Sequence, residues 1–127
     1  MKFVKFLVPI APMAIFILWV LWLGQQGLLP NPIATHWGIS GKADGFAGLE
    51  ELLAWSNFAF VVSFGILAIV LWNPKIYPSL RKLLAIIVGY FATFITALMT
   101  YIIWIQIGVS DASNVELDAW FVPLLIL

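Results

Sequence analysis

The sequence predicts an all-α, polytopic helical membrane protein: three complete transmembrane helices, the start of a fourth, and a long extracytoplasmic loop between helices 1 and 2. Three observations lead there. Hydrophobic residues make up 64% of the 127-residue chain, 9% is charged, and the mean hydropathy is +1.09. A water-soluble domain carries about 25% charged residues and under about 50% apolar ones, so a soluble globular class is excluded. Three uncharged stretches are each long enough to cross a bilayer, and the charges between them are sorted by sign.

The first span, Phe6 to Leu23, follows Lys2 and Lys5. Its apolar run exceeds that of a secretory signal, and Gln25-Gln26-Gly27 offers no small-x-small cleavage pattern, so a retained helix is expected. Pro9 and Pro12 remove backbone donors early in it, and a bend or a loosened first turn is expected there. The second span, Leu52 to Trp72, has 21 residues, or about 31 Å at 1.5 Å per residue, close to the hydrocarbon thickness. The third, Leu83 to Gly108, is longer than needed and is expected to tilt or to run past the interface. A fourth begins at Ala119 and the sequence stops at Leu127, which leaves a cut span, an interfacial end or a segment buried on a partner. The expected organisation is one integral membrane domain, 1–127, with spans at about 6–23, 52–72 and 83–108 and a partial span at 119–127. Outer loops fall at 24–51 and 109–118, and a cytoplasmic loop at 73–82.

Charge placement predicts orientation. Lys2, Lys5, Lys75, Arg81 and Lys82 are five of the six cations and fall on one side. By the bias of basic residues toward the inside, that side and the amino terminus are cytoplasmic. Lys42 shares the first outer loop with Asp44, Glu50 and Glu51, while Asp111, Glu116 and Asp118 follow the third span, so every acidic residue is placed outside. Trp19, Trp22, Trp55, Trp104 and Trp120 fall near the expected outer interface and Trp72 near the inner one, where indoles prefer to sit. In the cytoplasmic connection, Pro74 and Pro78 favour an extended or turning link over continued helix.

No Asp, Glu, Lys, Arg or His lies within a complete span, which disfavours proton-coupled transport. The polar residues there are mild: Ser56, Asn57 and Ser63 in the second span, and Thr93, Thr96, Thr100 and Gln106 in the third. Gly89, Thr93, Thr96 and Thr100 recur at helical spacing, a small-residue stripe suited to close helix packing, with a hydroxyl-lined path as the alternative. The absence of cysteine excludes disulfides and thiolate metal sites, and the cancelling charges give no reason to expect a nucleic-acid partner.

The loop 24–51 is long for a connector and holds the lone histidine, so it is the candidate functional segment. Pro30 and Pro32 favour extended backbone, Gly38 and Gly41 allow turns, and Asp44-Gly45 is a further turn signal. Glu50 and Glu51 are placed in the first turn of the next helix, where its partial positive charge favours them. His36, with Asp44, Glu50 and Glu51 as possible companions, could serve as a metal ligand or general base. No paired-histidine or Glu-x-x-His spacing accompanies it, so no metal, cofactor or catalytic residue is expected. His36 is expected instead to fold the loop by bonding Asp44 or a backbone carbonyl, while Trp37 packs on the membrane face.

Leu29-Pro30, a spacer, Ile33-x-Thr35-His36-Trp37 and then Gly41-x-x-Asp44-Gly45, after a hydrophobic span, resemble a bacterial membrane family, the domain of unknown function 1648. The resemblance covers about residues 10 to 60 and its specific part is this loop, with Pro30, Thr35, His36, Trp37, Gly41, Asp44 and Gly45 as its motif. Ala34 stands where the family usually has proline, and Ala47-Gly48 stand where a lysine or Ser-Lys often follows. That domain begins immunity proteins for the sporulation-delaying toxin and many other polytopic proteins. The resemblance implies location in the bacterial cytoplasmic membrane and, as one function, toxin immunity or signal transduction. The residues themselves favour a non-catalytic accessory or assembly subunit of a larger bacterial membrane complex. Its partners would be the bilayer and other integral membrane subunits.

Overall fold

A computed structural model describes residues 4–117. It corrects the all-α expectation in two ways. Of the three spans expected to be complete, two are single helices long and apolar enough to cross a membrane: α3 (Leu49–Trp72) and α4 (Pro78–Trp104). The outer loop contains an antiparallel two-stranded sheet, β1 (Ile33–Trp37) and β2 (Ala43–Ala47). The partial span at 119–127 lies outside the described residues.

The first expected span is divided into α1 (Val4–Leu7), a 3-10 turn (Val8–Ile10) and α2 (Ala11–Gln25). Pro9 lies within the 3-10 turn and Pro12 in the first turn of α2, where a missing N–H is tolerated. The 15 residues of α2 reach about 22 Å, short of a hydrocarbon core of about 30 Å. Its end is a Schellman motif. Gly27 adopts φ 66°, Leu28 N–H donates to the Leu23 carbonyl at 3.1 Å, and Gly27 N–H donates to the Gly24 carbonyl at 3.1 Å.

The α3–α4 connection is shorter than expected because α4 begins at Pro78 rather than after it. Proline suits a first helical position, where its missing N–H has no intrahelical partner in any case. The turn is closed by side chains. Asn73 Oδ1 accepts from Lys75 N–H at 2.9 Å, and Arg81 Nη2 donates to the carbonyls of Asn73 at 2.8 Å and Ile76 at 3.1 Å. A cation is thereby placed at the carboxyl end of α3, where unpaired carbonyls concentrate negative charge.

The chain divides into two compact units. One comprises Met1–Trp19 and Ala54–Thr100. Its core joins Ile10, Met13, Leu67, Leu71, Ala85 and Ala92, with Ala59, Phe60 and Val88 packed against it. Large apolar side chains also lie on its outside: Trp55 is 66% exposed, Ile69 66% and Phe91 64%. Such a surface is foreign to a helix that forms the core of a soluble protein.

The other unit comprises Val20–Leu53 and Tyr101–Leu127. It holds the hairpin, and a 3-10 turn (Ala112–Asn114) touches both strands. Within it Val20, Leu23, Ile33, Ala34, Trp37, Leu52, Ile103, Val115 and Leu117 are buried.

The stripe on α4 is mixed in environment. Gly89 and Thr96 are buried, Thr100 is half-buried and Thr93 is exposed. Each hydroxyl donates four residues back, Thr93 to Gly89, Thr96 to Ala92 and Thr100 to Thr96, at 2.7–2.9 Å. The Thr96→Leu substitution, adding bulk at a buried position, is expected to cost about 1–3 kcal/mol by overpacking. Ile87→Leu, on a side chain already 51% exposed, is expected to change little. Resistance of the purified chain to thermal unfolding in mild detergent measures both.

Candidate functional site

The site is built on a hairpin whose pairing is irregular. Ile33 faces Ala47, Ala34 faces Phe46, His36 faces Gly45 and Trp37 faces Ala43, so Thr35 and Asp44 are each left without a cross-strand partner. One unpaired residue on each strand shifts the register and then restores it. Side-chain alternation slips accordingly. Ile33, Ala34 and Trp37 all turn inward, Thr35 is half-buried and His36 points out.

His36 Nδ1 and Asp44 Oδ1 are 2.5 Å apart on the exposed face, with side chains 72% and 53% exposed. Gly45 makes this possible. A Cβ on it would lie 2.8 Å from the His36 Cβ, so a larger residue would push the histidine off the strand. Asp44-Gly45 is therefore part of β2 rather than the turn its composition suggests, and φ at Gly45 is not positive. The turn is made by Gly41, at φ 79°, whose N–H donates to the Gly38 carbonyl at 2.9 Å, with Gly38 N–H donating to Lys42 at 3.0 Å. Pro30 is buried where the loop begins, ahead of a cis Asn31–Pro32 peptide.

Three anchors hold this hairpin from beneath. Trp37 is buried, not laid on a membrane face, and its Nε1 donates to the Val115 carbonyl at 2.9 Å. An indole N–H removed from water needs such an acceptor. Leu117 N–H donates to the Gly41 carbonyl at 3.0 Å, and Lys42 pairs antiparallel with Glu116, so 115–117 borders the hairpin turn. The third anchor is Gln106, fully buried. Its Oε1 accepts from Ala34 N–H at 2.8 Å, while Nε2 donates to the carbonyls of Ala34 and Ile102, both at 2.9 Å.

Gln106 is the residue that sequence reasoning undervalued, having ranked it among the mild polar groups of a span. A signal existed: a lone amide in an apolar run must find partners when buried. Because α4 ends at Trp104, Gln106 lies in the turn beyond it, with Gly108 N–H donating to the Leu28 carbonyl at 2.8 Å. Asp111 Oδ1 accepts from the Ser113 hydroxyl at 2.7 Å and from its N–H at 3.0 Å. The hydroxyl, then the amide, hold this carboxyl below its ordinary range.

The structure thus gathers Thr35, His36, Trp37, Gly41, Asp44 and Gly45 into one hairpin, with Pro30 at its approach. Gly89, Thr93, Thr96 and Thr100 belong to the other unit. Glu50 and Glu51 are exposed in the first turn of α3. Among the described residues no three His, Asp or Glu side chains are grouped to hold a metal ion. What the arrangement offers is a surface: His36, Asp44, Ile39 (86% exposed) and Phe46 (41% exposed) displayed on an anchored frame.

Residues 13–60 match the family model described as a domain of unknown function (DUF1648). This part of the chain therefore carries that domain, in agreement with the resemblance of its loop motif. No curated protein and no solved structure matches the chain.

Two substitutions separate anchor from display. Gln106→Leu leaves the N–H and carbonyl of buried Ala34 unpaired, an expected cost of about 1–3 kcal/mol for each group, read as faster amide exchange at Ala34 and protease cleavage within 29–47. His36→Leu breaks an exposed pair and is expected to cost no more than about 1 kcal/mol, leaving protease resistance of the loop nearly unchanged.

Proposed function

From the premise that this is a chain with a DUF1648 domain and two helices of membrane-crossing length, we propose a non-catalytic integral membrane protein that acts through its surfaces. It serves as an accessory or assembly subunit of a larger bacterial membrane complex. The observation that carries this reading is the contrast within the hairpin, where the Ala34 backbone and the Trp37 indole are bonded and Ile33 is buried, while His36, Asp44, Ile39 and Phe46 are displayed outward. A preorganised surface loses little conformational freedom on binding, as a recognition element requires. The displayed pair lacks a recognisable nucleophile or metal set, which favours binding over catalysis.

Orientation follows from charge. Lys75, Arg81 and Lys82, between α3 and α4, are assigned to the cytoplasmic side with the amino terminus, in a multi-pass inner-membrane protein. The hairpin and the segment 109–117 are assigned to the outside. The apolar exteriors of α3 and α4 support burial in lipid, since the chain itself leaves most of both helices uncovered.

A second reading is toxin immunity or signal transduction of the sporulation-delaying type, with the displayed hairpin face contacting a peptide. Its ground is what the resemblance of the loop motif implies, and the hairpin lies within the matched residues 13–60. Native purification separates the two. A stoichiometric assembly with larger integral membrane proteins is expected for the first, and a free chain whose expression confers toxin resistance for the second. Single cysteines replacing Ser79 and Asn114, both exposed, test orientation. An impermeant thiol reagent applied to intact cells is expected to label the Asn114 variant alone, and labelling of Ser79→Cys would reverse the assignment.

A further inference from the structure

Charge in the helical unit is of one sign. Its two segments, Met1–Trp19 and Ala54–Thr100, hold the five cations Lys2, Lys5, Lys75, Arg81 and Lys82 and no aspartate or glutamate. Three of these cations gather where α3 gives way to α4. Arg81 turns its guanidinium onto the Asn73 and Ile76 carbonyls, which offsets the partial negative charge at the end of α3. Lys75 and Lys82 are left exposed, and among the described residues neither forms an ion pair. Each also stands at the end of an exposed apolar surface. On α4, Lys82 lies one turn from Ile86 and Leu83 one turn from Ile87, all four exposed. On α3, exposed Ile69 and Trp72 precede Lys75.

We infer that Lys75 and Lys82 bind the headgroup of an anionic phospholipid. The joining of uncompensated charge to apolar surface selects this partner. An acidic protein segment would answer the lysines and leave the adjoining apolar rows unmatched. A lipid sets its phosphate at the lysines while its chains continue along Leu83, Ile86 and Ile87 on one side and Ile69 on the other. Net charge then separates the lipid classes. A zwitterionic headgroup brings its own cation, which cancels much of the attraction, whereas an anionic one keeps it. The inference rests on the membrane-embedded reading above and goes beyond it, because burial in a bilayer by itself sets no preference between headgroups.

The test reconstitutes the full chain into phosphatidylcholine vesicles carrying a trace of spin-labelled phosphatidylglycerol or, separately, of phosphatidylcholine labelled on the same acyl chain. The ratio of the two motionally restricted fractions reads the headgroup preference. The native chain is expected to favour phosphatidylglycerol. Lys75→Gln and Lys82→Gln are each expected to lower the ratio by up to about fivefold, the factor for one basic residue at an anionic surface, and Lys82→Arg to retain it. Helical circular dichroism and the restricted phosphatidylcholine fraction are expected to stay unchanged, which separates lost charge from lost fold. Lys42→Gln removes an exposed cation of the other unit and is expected to keep the native ratio. An equal fall in that variant overturns the inference, since the preference would then follow the net charge of the chain. So does a ratio near one for the native chain, or a native ratio in both glutamine variants of the cluster. In each of these cases a restricted phosphatidylcholine fraction leaves the membrane reading intact. Release of the native chain from membranes by alkaline carbonate overturns the membrane reading, and this inference with it.

Discussion

The hairpin depends on one buried carboxamide. Gln106 presents one N–H and a carbonyl to Ala34, and Ala34 returns its own carbonyl and N–H, so the side chain does for the outer edge of β1 what a third strand would do. The remaining Nε2 proton goes to Ile102, one turn back in α4. A group that is costly to bury alone becomes, when its donors are used, a fixed link between the helix end and the strand. The inward positions of β1 follow from it. With Ala34 held, Ile33 is buried beside it, and Trp37 reaches the Val115 carbonyl after the bulge at Thr35. The segment 115–117 then borders Gly41 and Lys42.

Polar groups elsewhere are also consumed locally. The three threonine hydroxyls of α4 bond carbonyls of their own helix, which is how a hydroxyl is tolerated in an apolar setting without a partner helix. Arg81, one of the cations that predict sidedness, spends its guanidinium on the carbonyls of the α3–α4 turn. Against that background His36 and Asp44 differ, because they meet each other at the surface and leave their remaining polar edges exposed.

Much of the fold could be read from residue pattern. The apolar runs locate α3 and α4, the acidic pair marks the start of α3, and the two early prolines foreshadow the 3-10 turn. The hairpin could not be read in the same way. Ile33 and Trp37 are strand formers, yet the paired bulges break the strict alternation by which a half-buried strand is recognised, and the glycines and prolines around them suggested turns alone. The first span failed as a complete helix for a local reason, since Pro9 withdraws a donor within the run. For the site, the motif placed the right residues in one loop, but spacing does not disclose which of them face inward. His36 and Trp37 are neighbours in sequence and opposite in exposure. Gln106 lies 72 residues from its partner, and no local pattern joins them.

The alanine at position 34 is constrained in two ways that do not depend on each other. Proline there would have no N–H to give, so it would return only one of the two bonds that Gln106 makes with this strand and leave a buried amide oxygen without its donor. Size sets the other limit, since Ala34 is fully buried and a larger side chain has no open space to occupy.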